Sequence, residues 1–193
     1  MELNKAIERR HSSRSFSKKP ASFKDVMLAI DYALQGPFAG NINNIKFLIV
    51  ENPTTIKKIA EHSNQSWIEE SSLVVVVCSD DSFLEKQYDE RGIVYSRQQA
   101  GATIMTFLLK LTDLELDSCW VGAFNDDPIK NVLGIPASKS IEAIVPIGYE
   151  NSKKARKKPK KHSLERSIFW EEWDKTRRPA FFEDPDITHR DAF

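Results

Sequence analysis

Leu73 to Cys78 reads Leu-Val-Val-Val-Val-Cys, apolar at every position and β-branched at four of six. A strand with one wet face alternates apolar and polar side chains. An unbroken apolar run of this length suits a strand covered on both faces. The rest of the chain must then supply two covering layers, and at 193 residues it is long enough for one domain with a substantial core.

Helical patterns on either side can provide those layers. Leu3, Ala6 and Ile7 have helical spacing that ends where His11-Ser12-Ser13 begins. A second helix is predicted from Ser22, an N-cap candidate, through Ala33; Val26, Ile30, Ala33 and Leu34 form its stripe, and Gly36-Pro37 ends it. Lys46 to Glu51 reads as a strand that Pro53 breaks, and Thr55 to Glu61 as a short helix. From about Asp89 to Asp113 one long helix is predicted, with Ala100, Thr103, Ile104, Phe107, Leu108 and Leu111 facing the core. Cys119 to Phe124 is a short apolar segment, and a helix starts near Asp126-Asp127-Pro128 and runs through Leu133. Ile141 to Tyr149 is the last clear strand, followed by a helix near Leu164 to Asp174. The pattern predicts an α+β fold: a sheet of about four or five strands with helices on both faces. No G-x-G-x-x-G follows a strand, so a dinucleotide-binding doubly wound fold is unsupported.

Composition narrows the function classes. Lys plus Arg and Asp plus Glu number 28 each, so no net field attracts nucleic acid or an anionic membrane. Charge is nonetheless local: residues 153–161 read KKARKKPKK, and residues 183–191 carry four acidic side chains. No aromatic residue interleaves with the basic run as a stacking platform would, which weighs against a nucleic-acid module. The start lacks the apolar core of a signal peptide, and no apolar run approaches membrane-spanning length. The expectation is a cytoplasmic protein that contacts no membrane. Cys78 and Cys119 sit in apolar runs without metal spacing, and His11, His62, His162 and His189 are scattered, so no metal site is expected. Neither G-x-S-x-G nor a P-loop lysine is present. If the chain is an enzyme, a bound cofactor carries the chemistry, and no catalytic side chain is named.

Four segments could build a cofactor site. Arg9-Arg10-His11-Ser12-Ser13-Arg14 places guanidinium forks and hydroxyls at a helix end, a phosphate-binding combination, although charge runs usually just face water. Pro37-Phe38-Ala39-Gly40-Asn41-Ile42-Asn43-Asn44 offers side-chain amides that can read the edge of a planar heterocycle; the plainer reading is a turn. In Leu114 to Phe124, the small Gly122 and Ala123 let the backbone approach a ligand and offer N–H groups. The basic run ending at Lys161-His162 could clamp phosphate or simply be a solvated loop.

Taken in order, these segments resemble the nitroreductase family of FMN oxidoreductases over residues 2–173. Arg10-His11-Ser12-Ser13-Arg14-Ser15-Phe16 is similar to the family's opening arginine-serine-arginine motif, and Pro37 to Asn44 to its proline-serine-x-x-asparagine-x-glutamine-proline loop. Gln99-Ala100-Gly101-Ala102 onward is similar to the central helix, Leu114 to Phe124 to the segment after it, Ile147-Gly148-Tyr149 to the closing strand, and Leu164-Glu165 with Trp170 and Trp173 to the ending. Departures are Asn43 for glutamine, Asn44 for proline, Glu115 and Asp117 for glycines, and Lys161 for an arginine.

The resemblance implies a nitroreductase-like fold, a central, mostly antiparallel sheet flanked by helices in an intertwined homodimer, with FMN at the subunit interface and NAD(P)H as donor. It implies that Arg10, His11, Ser12 and Arg14, with Lys160 and Lys161, hold the phosphate and ribityl chain. Asn64 or Gln65 would meet the ring edge, and Gly122 and Ala123 would offer backbone N–H groups to the ring. Pro37, Phe38, Ala39, Asn41 and Asn43 would arrive from the other subunit. Tyr88 and Tyr95, in a lid over Phe83 to Tyr95, are candidates to stack on a small-molecule acceptor, though isolated aromatics are more often packing residues. Relatives with this fold also dehalogenate, cleave flavin or oxidise rings. Residues 1–176 are expected to form the FMN-binding domain and 177–193 a C-terminal extension, with Phe181 and Phe182 either docking on the partner subunit or belonging to a frayed terminus.

Overall fold

In the computed structural model, the residues described are 2–151, 153 and 164–177. Lys160, Lys161 and Phe181-Phe182 lie outside them. The chain divides into two compact units, Met1–Arg156 and Lys157–Phe193.

The first unit is built on a four-stranded sheet: β1 (Ile45–Val50), β2 (Leu73–Ser79), β3 (Asp117–Ser118) and β4 (Ser140–Gly148), in the order β1-β2-β4-β3 with every pair antiparallel. β2 lies second in that order and every one of its residues is buried. Its side chains alternate between two cores. Leu73, Val75 and Val77 face one cluster with Val26, Ala29 and Ala33 of α2 (Phe23–Ala33) and Ile104, Phe107 and Leu111 of a long helix (Glu90–Asp113). Val74, Val76 and Cys78 face the other, with Ile56 and Ile59 of α3 (Pro53–His62) and Ile129 of α6 (Asp126–Leu133). The predicted two-sided cover is present, and both cysteines are buried and unpaired.

A β-bulge adjusts this alternation in β4. Val77 pairs with Ala143 and Cys78 with Ile141, so Glu142 is the extra residue. The insertion moves Ile141 to the α3 side, whereas Ala143, Val145 and Ile147 stay on the α2 side.

The helices start and stop on local chemistry. Ser22 caps α2 by accepting from the Asp25 N–H at 3.3 Å. Asn52 Oδ1 caps α3 by accepting from Thr54 and Thr55 at 2.9 and 3.2 Å, with Pro53 in the first turn. Gly134, at φ 65°, closes α6.

Three elements depart from the sequence reading. The lid opens with a helix of its own, α4 (Ser82–Tyr88), set off from α5 (Glu90–Asp113) by Asp89 at φ 48°, ψ −136°. The segment after the long helix contributes β3 at Asp117–Ser118, ahead of the apolar run, and Val121 adds an isolated bridge to Ile144. The helix expected near Leu164 to Asp174 is a single turn, Leu164–Arg166, because Glu171 and Asp174 take left-handed backbone (φ 62° and 65°) that an α-helix cannot include. There Phe169 and Trp173 pack ring on ring at 4.8 Å.

Candidate functional site

α1 (Leu3–Arg9) ends at Arg10, and the chain continues extended. Ser12 bridges Ser118 in parallel, the Ser13 N–H donates to the Ser118 carbonyl (3.1 Å), and the Ser17 N–H donates to that of Tyr149 (2.7 Å). An extended strip alternates its side chains. Ser12 and Arg14 are accordingly exposed and Arg10 half-buried, whereas His11 is half-buried and Ser13 and Ser15 are buried. The closely packed edge also explains Gly148. A Cβ there would sit 2.9 Å from the Phe16 ring.

His11 turns to the inner side of the strip, away from the exposed Ser12 and Arg14. Its Nδ1 lies 3.1 Å from the Arg9 carbonyl oxygen and its Nε2 3.0 Å from Glu150 Oε2, with Ser13 Oγ 3.1 Å away. Arg9 O and a carboxylate only accept, so with both bonds made the ring carries a proton on each nitrogen. Burial alone would lower the pKa of His11, but these two acceptors outweigh it and raise it. Burial pushes the neighbouring Asp117 carboxyl up, although its Oδ2 accepts from the Glu150 N–H at 2.7 Å. His11, Glu150 and Asp117 thus tie the strip to the end of β4.

A second group forms where α3 ends. Asn64 is exposed in left-handed backbone (φ 51°), and Gln65 Nε2 donates to the Ala123 carbonyl at 3.2 Å. Gly122 and Ala123 are exposed, and a Cβ added to Gly122 would meet only Trp120 Nε1, 3.8 Å away. The backbone here is open to a ligand.

The third group is the loop 37–44. Gly40 and Asn41 take left-handed backbone (φ 56° and 57°), and Tyr88 Oη closes over Gly40, 2.5 Å from where a Cβ would stand. Asn41 and Asn43 are exposed, with Asn43 Oδ1 accepting from the Ile45 N–H at 3.0 Å. Pro37, Phe38 and Ala39 line an open cleft of about 350 Å³ with Tyr95, Gln98 and Gln99. Tyr88 and Tyr95 meet edge to face at 5.2 Å. The structure thus joins the two tyrosines to this loop, while Arg10 to Arg14 belong to the first group and Gln65, Gly122 and Ala123 to the second.

Several polar residues that sequence reasoning passed over hold this third group in place. Gln99 Oε1 accepts from the Ala39 N–H (3.1 Å), and its Nε2 donates to the Ile42 carbonyl (3.1 Å) and to Asn44 Oδ1. Asn44 Nδ2 donates to Ser96 Oγ at 2.7 Å, and Ser96 donates to Asp81 at 2.6 Å. Arg97 joins Asp81 (2.6 Å) to the bulge residue Glu142. Burial works against ionisation of Asp81, but the Ser96 and Arg97 bonds prevail and hold its carboxyl below the usual range. The available signal was three polar residues on an apolar helix face, Ser96, Gln99 and Thr103, all buried.

An antiparallel four-stranded sheet covered by helices on both faces makes the first unit a three-layer α+β domain. The particular family follows from comparison. The model of the Nitroreductase family matches residues 7–73 and 63–149, and the chain belongs to that family of oxidoreductases. It is 27% identical over 158 residues to a protein of Archaeoglobus fulgidus named as an NADH dehydrogenase/NAD(P)H nitroreductase, covering 79% of this chain and 88% of that one. It is 22% identical to the iodotyrosine deiodinase of Thermotoga neapolitana, covering 77% and 89%. The crystal structure of a nitroreductase family protein from Clostridium difficile 630 shares the fold at a TM-score of 0.77 and 21% identity, over 89% of this chain and 99% of that one. Among the described residues no cluster could hold a metal ion, and no helix is long and apolar enough to cross a membrane.

Proposed function

We propose that the protein is a homodimeric, FMN-dependent oxidoreductase that passes reducing equivalents from NAD(P)H to an oxidised organic acceptor such as a nitroaromatic or quinone. The observation that carries this reading is the extended strip that places Arg10, Ser12 and Arg14 at alternate positions, with Ser12 and Arg14 exposed and Arg10 half-buried. Two guanidinium groups and a hydroxyl match the charge and acceptor geometry of a phosphate and the sugar alcohol next to it. The donor set therefore fits the cofactor. The open backbone at Gly122 and Ala123 supplies N–H groups for the ring, and the Asn64 and Gln65 amides suit its polar edge. When bound, the flavin supplies the redox chemistry. The chain's own residues bind and orient.

Within one chain the contacts of the 37–44 loop run to α4 and α5, and its service to a neighbouring subunit is part of the proposal. Tyr88 and Tyr95 then stand beside the acceptor rather than the phosphate. The same loop offers no charged side chain, in keeping with an uncharged aromatic acceptor.

The test is direct. The purified protein should be yellow, bind FMN in a fluorescence titration, and oxidise NADH or NADPH in the presence of a nitroaromatic or quinone. A protein that binds no FMN overturns the proposal. A second reading, reductive dehalogenation of a halogenated phenol, is favoured by the likeness to the iodotyrosine deiodinase. Halide release from iodotyrosine, with no turnover of nitroaromatics or quinones, would select it.

A further inference from the structure

α5 carries its buried polar residues in one stripe. Ser96, Gln99 and Thr103 are three and four positions apart, which places them on one face of the helix. Their exposures are 0%, 5% and 1%, in a helix whose other inward residues are mostly apolar. Gln99 and Ser96 meet successive parts of the same loop. Thr103 Oγ1 is buried near Gly36, just ahead of the loop, with no hydrogen-bond partner among the described residues. Gln99 spans the middle, accepting from Ala39 and donating to Ile42 and Asn44. Ser96 takes the far end through Asn44.

Leucine or methionine would fill this volume in a helix core without leaving donors to satisfy. Burying a primary amide is favourable only where its bonds are made, and all three bonds named for Gln99 go to the 39–44 segment. The loop needs such a brace. Gly40 and Asn41 hold left-handed backbone in succession, and a segment of this kind wanders unless its surroundings fix it. The brace is itself anchored, since Ser96 donates to Asp81, which Arg97 links to Glu142 in the sheet.

We infer that Gln99 is a positioning residue for the cofactor site: it sets the 39–44 loop in its binding conformation before the flavin arrives. It does not touch the flavin itself. The inference rests on the proposed FMN reading, and it predicts that losing the brace weakens flavin binding through the cost of ordering the loop.

The test uses the full-length protein and equilibrium titration of FMN by flavin fluorescence, alongside thermal melting. Gln99→Met keeps the volume and removes all three bonds. Its FMN dissociation constant should rise about tenfold while the protein stays folded, a size in keeping with one or two lost hydrogen bonds. Gln99→Glu gives an independent readout. As a carboxylate it still accepts from Ala39 but faces the oxygens of Ile42 and Asn44 without a donor; protonated, it regains one. FMN affinity of Gln99→Glu relative to wild type should therefore recover severalfold between about pH 8 and pH 5.5, because protonation restores a donor near the carboxyl's shifted range. A folded Gln99→Met with wild-type affinity overturns the inference. If that variant fails to fold, a Gln99→Glu with no such recovery overturns it. Wild-type protein that binds no FMN removes the reading underneath and this inference with it, whereas wild-type binding with unchanged variants removes this inference alone.

Discussion

Arg10, Ser12 and Arg14 share a face because the chain leaves α1 in an extended conformation and pairs with Ser118 and Tyr149. In a helix Arg10 and Arg14, four positions apart, would still share a face, but Ser12 would point to the opposite side. Replacing Arg10 with Ala should weaken FMN binding by roughly 1.5–3 kcal/mol, the range for hydrogen bonds to a charged group. An unchanged dissociation constant in the titration would take this strip out of the site. His11, one position along, has a different task. Its pKa is raised in the folded state, so the stability it contributes is complete below the unfolded value of about 6.5 and is lost as pH rises through the folded one. Melting temperature should accordingly fall from about pH 6.5 upward in wild type by a component that His11→Phe lacks. Parallel curves for the two proteins would contradict the imidazolium–Glu150 pair.

At the scale of elements, the lid is the informative departure. The predicted long helix begins at Glu90, and Asp89, at φ 48°, turns the chain so that α4 packs on the start of α5. Gly92 makes this approach feasible: a Cβ there would stand 2.3 Å from the Leu84 carbonyl oxygen and 2.5 Å from the Glu85 nitrogen. Both are backbone atoms with no rotamer to give way. Gly92→Ala should therefore cost roughly 3 kcal/mol, at the upper end of overpacking, measurable in a urea titration. A loss within experimental error would mean that α4 is free to shift. The Glu142 bulge works at the same scale. One extra residue moves Ile141 to the second core, and Glu142 at the insertion pairs with Arg97.

In the molecule as a whole, the sheet is covered on both sides, yet α1, α2 and α5 leave a groove of about 350 Å³ among the described residues, lined by Leu3, Ala6, Tyr32 and Leu109. Leu3, Phe23, Met27, Tyr32 and Met105 are each more than a third exposed. Exposed apolar surface of this kind is costly to leave in water and suits a second copy of the chain. If the 37–44 loop completes the partner's pocket, flavin content should track dimer content. Sedimentation across a dilution series, read at a flavin wavelength, checks this. A monomer that retains its full flavin contradicts it.

The sequence by itself determined the two-sided sheet, since Leu73 to Cys78 admits no wet face, and it located the helices whose stripes cover it. The Arg10 to Arg14, Pro37 to Asn44 and Gly122-Ala123 segments were legible as candidate binding elements because phosphate forks, turn amides and small residues are local chemistry. Which way each side chain points was decided only by tertiary pairing. His11 lies between two arginines in the sequence and could not be told from them as a ligand contact until Glu150, 139 residues away, appeared beside its ring. Gln99 read as part of a helix, because its partners Ala39, Ile42 and Asn44 are 55 to 60 residues distant. Hydrogen bonds between groups so far apart leave no periodic trace in the chain. Periodicity records burial, whereas the partners of a buried polar group are fixed only when the layers close.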